Sequence, residues 1–331
     1  MILQAVETIV SIFLMIGAGL FIAWRKWITP DGAKAVPRII INIAVPAMIV
    51  YFFSTDISRT MIFSSWLPLL IVFIAVPATF FIGKLAAVVF GVPKERRGVF
   101  NALFSFSNSV FIGFPVAYAL FGDAGMPFAV FYYFANTTYF WTLGYYGIRK
   151  DADRLAGKKT KITAGEVLKK LLIPPIITIL IMFALVFLDI KLPGFVLQTA
   201  KHLSALTTPM SLIFMGSMIF WSGKEGVAYE RDLTPVIIGR FLIAPAVCFL
   251  ACSAAMTLFN GKFAALDMDL MRSVFTVQTG LPVMTTTAIL ADLYGAGSQF
   301  ATRSYFWTTL LSLVTIPAFT LVFHFLRLST V

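Results

Sequence analysis

The chain has 331 residues, of which 59% are hydrophobic and 12% charged, with a mean hydropathy of +0.90. Soluble domains carry about a quarter charged residues, so this composition excludes an ordinary soluble protein and predicts an all-α membrane protein. The net charge of +11 does not signal nucleic-acid binding. The basic residues are scattered over short loops, where they report orientation and attraction to anionic lipid in the bilayer.

Apolar runs of about 20 residues, the length that crosses hydrocarbon as a helix, predict ten spans at roughly 3–24, 35–54, 65–90, 98–121, 126–148, 167–189, 195–221, 233–259, 268–292 and 299–326. The runs are continuous rather than alternating, which favours helices over barrel strands. The first is too long, and too weakly preceded by positive charge, for a cleaved signal, and is expected to be retained. Lys and Arg concentrate in the odd-numbered loops (Arg25, Lys26, Lys34, Arg96, Lys158 and Lys224 among them), while Arg59, Lys191 and Lys262 occupy the even ones. Odd loops are therefore expected in the cytoplasm, with both termini outside a cell inner membrane.

The hydrophilic stretch 149–166 lies at the midpoint. It divides the chain into a first five-helix repeat, 1–148, a cytoplasmic linker, 149–166, and a second repeat, 167–331. An odd number of spans per half makes the second repeat inverted. Internal similarity supports a duplication: Gly113-Phe114-Pro115-Val116 returns as Gly280-Leu281-Pro282-Val283, 167 positions later, and Tyr139-Phe140-Trp141-Thr142 as Tyr305-Phe306-Trp307-Thr308, 166 later. Pro46, Pro68 and Pro77 have counterparts in Pro209, Pro235 and Pro245.

A Gly-x-Pro in an apolar helix removes a donor and clashes with the preceding turn. A break in hydrocarbon is tolerated only where it faces protein or a water-filled cavity, and paired breaks in two halves point to a transporter's substrate site. Polar residues cluster beside each break: Ser105, Ser107, Asn108 and Ser109 in span 4, and Thr276, Gln278, Thr279 and Thr285 in span 9. The half-helices beyond Pro115 and Pro282 are expected to present N-termini with partial positive charge, suited to a carboxylate. The same polar groups would also satisfy the broken backbone. Asn136, mid-span beside the crossing, joins them. The candidate substrate-binding residues are Ser107, Asn108, Gly113, Pro115, Asn136, Gln278, Thr279, Gly280, Pro282 and Thr285.

In this order along the whole chain, Asn42-Ile43-Ala44-Val45-Pro46, Asn108 through Gly113-Phe114-Pro115, Thr207-Thr208-Pro209 and Gln278-Thr279-Gly280-Leu281-Pro282 resemble the auxin efflux carrier family. Its bacterial members include malonate and malate permeases, and its plant members are the PIN auxin carriers. The resemblance implies two inverted five-helix repeats with crossing broken helices 4 and 9, as in bile-acid symporters and NhaA-type folds. It also implies a transport part (spans 3–5 and 8–10) moving against a scaffold (spans 1, 2, 6 and 7) that often carries a homodimer contact. The implied activity is carriage of small organic anions, such as malonate, malate or auxin-like acids, by alternating access.

Other chemistries find little support. Cys248 and Cys252 read as small core residues, His202 and His324 are isolated, and no metal-ligand or catalytic motif is present, so no enzyme activity, metal or cofactor is expected. The middles of spans 4 and 9 hold no Asp or Glu, which argues against Na⁺/H⁺ antiport. Coupling to H⁺ or Na⁺, or uniport, stays open, and a Na⁺-coupled bile-acid-type symporter and a non-transporting membrane receptor are the alternatives. Among charges within spans, Arg240 is expected to snorkel, Arg303 to snorkel or lure anions, Lys84 to reach an interface, and Glu7 to lie at one.

Overall fold

A computed structural model of the chain describes residues 2–55, 57, 63, 65–259 and 266–325. The described residues form helices and no strand: α1 (Ile2–Trp24), α2 (Ala35–Thr55), α3 (Trp66–Val89), α4 (Arg97–Ser105), α5 (Ser109–Leu155), α6 (Ala164–Leu171), α7 (Pro174–Phe187), α8 (Gly194–Trp221), α9 (Leu233–Leu258), α10 (Met268–Thr279), α11 (Thr285–Leu293) and α12 (Ser298–Phe325). By length and apolar composition five of them, α2, α3, α5, α8 and α9, can each cross a membrane, and α6 with α7, bent by 75°, makes a sixth. Leu14, Phe81, Leu85, Leu250 and Val314 are exposed, an outward apolar surface that suits lipid.

Several expected helix limits differ: the spans expected at 98–121 and 126–148 are joined in α5, and the one expected at 167–189 is divided into α6 and α7. The helix expected to end at 148 continues to Leu155, because Asp151 is buried and its carboxylate accepts the Val99 N–H at 2.9 Å near the start of α4. The hydrophilic stretch 149–166 also ends as helix: Thr163 caps α6, its Oγ1 accepting the Glu166 N–H at 3.2 Å. Within α5 the path bends at Gly122, whose φ of 60° and ψ of −158° lie in a region open essentially to glycine alone.

α1 packs along α8 through two reciprocal backbone contacts, Gly19 on Ile213 and Gly216 on Ile16. Ser217 Oγ secures this seam by donating to the Gly19 carbonyl at 3.0 Å. α2 lies on α7 and α8, whereas α3 lies on α4, α5 and α9, and α10 on α5 and α9. The helices thus sort by contact into one set around α1, α2, α7 and α8 and another around α3, α4, α5, α9 and α10, with α12 and the first turns of α5 packed on α8 between them.

Four turns are π-helical: Ile40–Ala44, Ser109–Gly113, Phe140–Gly144 and Gly239–Ile243. Three of them end two residues before a proline, Pro46, Pro115 and Pro245. Proline offers no N–H to the carbonyl four residues back and its ring crowds that carbonyl. A wider turn just upstream re-routes the carbonyls and makes room. Pro77 and Pro317 are carried in α-helix without such a turn.

Candidate functional site

The two broken segments meet. Between α4 and α5 the chain is extended at Phe106, and between α10 and α11 it is extended at Met284. The two stretches pair antiparallel at Ser107 and Val283: the Asn108 N–H donates to the Pro282 carbonyl at 2.9 Å, and the Met284 N–H to the Phe106 carbonyl at 3.0 Å. Each break therefore satisfies part of the other's backbone, as a dry interior demands.

Side chains supply most of the rest. Asn136 brackets Ser107, with Oδ1 accepting its N–H at 3.2 Å and Nδ2 donating to its carbonyl at 3.0 Å. Ser107 Oγ and Tyr132 Oη lie 2.7 Å apart. Asn108 caps the first turn of α5, its Oδ1 accepting the Phe111 N–H at 3.3 Å, while its Nδ2 donates to Thr285 Oγ1 at 2.8 Å, at the first residue of α11. Thr308 in α12 takes the Val283 N–H on Oγ1 at 3.3 Å. The N-terminal ends of α5 and α11 are thus tied together by one hydrogen bond.

Gln278, fully buried at the end of α10, donates through Nε2 to the Gly113 carbonyl at 2.8 Å. A Cβ at Gly113 would fall inside the radius of Gln278 Oε1, so this glycine serves close approach between the two halves. It does not break the helix. Gly113 and Pro115 lie within α5, and the helix beyond the first break begins at Ser109 rather than after Pro115, because the π turn absorbs the proline. In the second half the expectation and the structure agree: Gly280 and Pro282 stand between α10 and α11. Thr279 closes α10, its Oγ1 donating to the Phe275 carbonyl at 3.0 Å. Of the ten candidate residues, nine lie at or against the breaks, Gly113 and Asn136 through the contacts just given. Pro115 stands further along α5.

Arg240 corrects the sequence reading. It does not snorkel: its side chain is completely buried and turns inward from the π turn of α9. Nε donates to the Leu281 carbonyl at 3.0 Å, and Nη1 donates to the carbonyls of Ser105 at 2.9 Å and Phe104 at 3.4 Å. Nη2 donates to the carbonyls of Thr279 and, at 3.0 Å, of Leu281. One guanidinium thereby covers the carbonyl ends of both α4 and α10, where helix dipoles are negative. The Gly239 backbone beside it presses on the Phe104 ring. The sequence signal was a lone cation in an apolar run. Thr308 was also passed over, although it belongs to the repeated Tyr-Phe-Trp-Thr segment.

The remaining charges lie away from the crossing. Arg303 pairs with Glu230, which also accepts from Arg96 Nη1 at 2.9 Å, and Arg96 pairs with Asp232. Lys84 is exposed, with Nζ 4.9 Å from the Phe80 ring and 5.2 Å from the Phe81 ring. The Glu7 side chain, and Arg59 and Lys262, lie outside the described residues. Cys248 and Cys252 are buried free thiols. A separate apolar crevice, to which Ile12, Ile16, Val116, Met215 and Ile316 contribute, opens beside the first turns of α5.

A family model described as membrane transport protein matches residues 4–320. The chain is 27% identical over 319 residues to an uncharacterized transporter of Methanocaldococcus jannaschii, covering 94% of this chain and 96% of that protein. It is 25% identical over 331 residues to an uncharacterized transporter of Methanothermobacter thermautotrophicus, covering 96% and 97%.

Proposed function

We propose, from the premise that this chain belongs to the membrane transport protein family, the auxin efflux carriers, that it is a multi-pass carrier of small organic anions working by alternating access. The observation that carries the reading is the pairing of two broken segments, with the N-terminal ends of α5 and α11 joined through Asn108 and Thr285. Such ends favour negative charge, and no carboxylate lies among the buried polar residues of the crossing that are described. Malonate, malate and auxin-like acids fit that chemistry. The ten-span organisation in two inverted halves, 1–148 and 167–331, is part of the proposal, as are an inner-membrane location and outward termini. The two contact sets of helices support a transport part sliding against a scaffold.

Uptake of labelled mono- and dicarboxylates into proteoliposomes tests the proposal. Saturable uptake that falls sharply in Asn108→Ala and Gln278→Ala, at equal protein levels, is the expected result. Unaltered uptake in both variants would remove these residues from the site. A sodium-coupled symporter of bile-acid type is the second reading. It draws on Gln278 Oε1, a buried acceptor without a hydrogen-bond partner, and it requires uptake to stop when sodium is replaced by choline.

A further inference from the structure

Among the described residues Arg240 is the only fully buried cation. Its guanidinium carries five N–H donors, and it makes five hydrogen bonds to backbone carbonyls, those of Phe104, Ser105, Thr279 and Leu281. No carboxylate pairs with it in the described ion pairs. A buried charge of this kind needs compensation, and here the compensation comes from the negative ends of two interrupted helices. The Tyr132 hydroxyl, already joined to Ser107, lies beside it.

Hard cations in proteins are held by several oxygens gathered around one point. At this crossing such a cluster exists, built from the carbonyls of both halves, and a side chain fills it. We infer that Arg240 is a tethered cation that takes the place of a mobile coupling ion, so that transport through the crossing requires no sodium. The inference rests on the carrier reading above and decides between its two forms. Gln278 Oε1 is one of several buried, neutral side-chain oxygens without a hydrogen-bond partner, and no group of carboxylates stands with it among the described residues. The fixed positive charge also adds to the two helix N-termini in drawing an anion rather than a cation to the crossing.

The test uses the whole purified chain with malonate as the transported probe. Wild-type uptake of labelled malonate is expected to be the same in sodium and in choline chloride. The wild-type melting temperature in detergent is likewise expected not to respond to sodium. Arg240→Ala opens the carbonyl cluster: its melting temperature should fall, and millimolar guanidinium, but not choline at equal concentration, should raise it again. Arg240→Lys keeps the charge and loses the fork, so it should be less stable than wild type yet remain indifferent to sodium. A scaffolding role alone predicts lower stability in both variants with no selective rescue. Sodium-dependent uptake or stabilisation of the wild type overturns the inference, as does Arg240→Ala that melts like wild type or gains nothing specific from guanidinium. If Arg240→Ala yields no folded protein, Arg240→Lys decides, and a sodium requirement appearing in it counts against the inference. Absence of malonate uptake by the wild type speaks against that substrate, and the stability measurements decide the role of Arg240 independently.

Discussion

Replacing Gly113 with alanine measures how tightly the two halves are pressed together. In a helix interior the change ordinarily stabilises by about 1 kcal/mol. Here the added Cβ meets Gln278 Oε1 and comes to 3.0 Å from Leu281 Cδ1. Gln278 has nowhere to retreat, being fully buried and bonded to the Gly113 carbonyl. Overpacking costs about 1–3 kcal/mol, and pushing the amide off its carbonyl strands buried polar atoms at about 1–3 kcal/mol more. Set against the gain in propensity, the net loss is about 3 kcal/mol. For a chain of this length that corresponds to a fall of about 4 °C in melting temperature. Thermal unfolding followed by tryptophan fluorescence, at fixed detergent and protein concentration, reads the shift. The double variant Gly113→Ala with Gln278→Ala should lose less than the two single changes added together, since truncating the amide vacates the space the methyl needs. An alanine variant as stable as wild type, or strict additivity in the double variant, would refute the close-contact account.

Asn136→Ala should cost about 2–4 kcal/mol by stranding the Ser107 N–H and carbonyl, and Asn136→Asp, whose ionised carboxylate would be buried with an oxygen against the Ser107 carbonyl, should be at least as destabilised at neutral pH and recover as the carboxyl is protonated at lower pH in the same melt. Glu230→Gln removes the negative charge shared by Arg96 and Arg303 and leaves one acceptor oxygen in place of two. The groups are partly exposed, so the loss should be at most about 1 kcal/mol, and a wild-type sensitivity to about 0.5 M salt should shrink. Cys248 and Cys252 should resist a polyethylene-glycol maleimide in the folded protein and react after denaturation in dodecyl sulfate, read as a gel shift.

Helix positions were largely legible because long apolar runs admit few alternatives in lipid. The limits at Leu155 and Ser109 were not. The first depends on Asp151, whose burial against Val99 is a tertiary contact between segments far apart in sequence. The second depends on a π turn that lets Pro115 sit in a continuous helix, a local geometry no proline count reveals. The polar shoulders were readable as a cluster, but not the division of labour within it. Asn136 and Asn108 divide their side-chain hydrogen bonds between the extended backbone and neighbouring hydroxyls. Arg240 was visible as a charge and misread, because two turns from a helix end the route to water looks shorter than the route to four carbonyls supplied by other segments.

The π turn Gly239–Ile243 contains Arg240 itself. A π turn holds one surplus residue, and that surplus can change position along a helix while the helix stays intact on either side. Each position it crosses rotates a side chain by about 100°. A one-residue migration of the bulge in α9 would swing the guanidinium out of both carbonyl clusters in a single movement. The ends of α4 and α10 rest on that one side chain, so a change of register in a third helix would reach both at once.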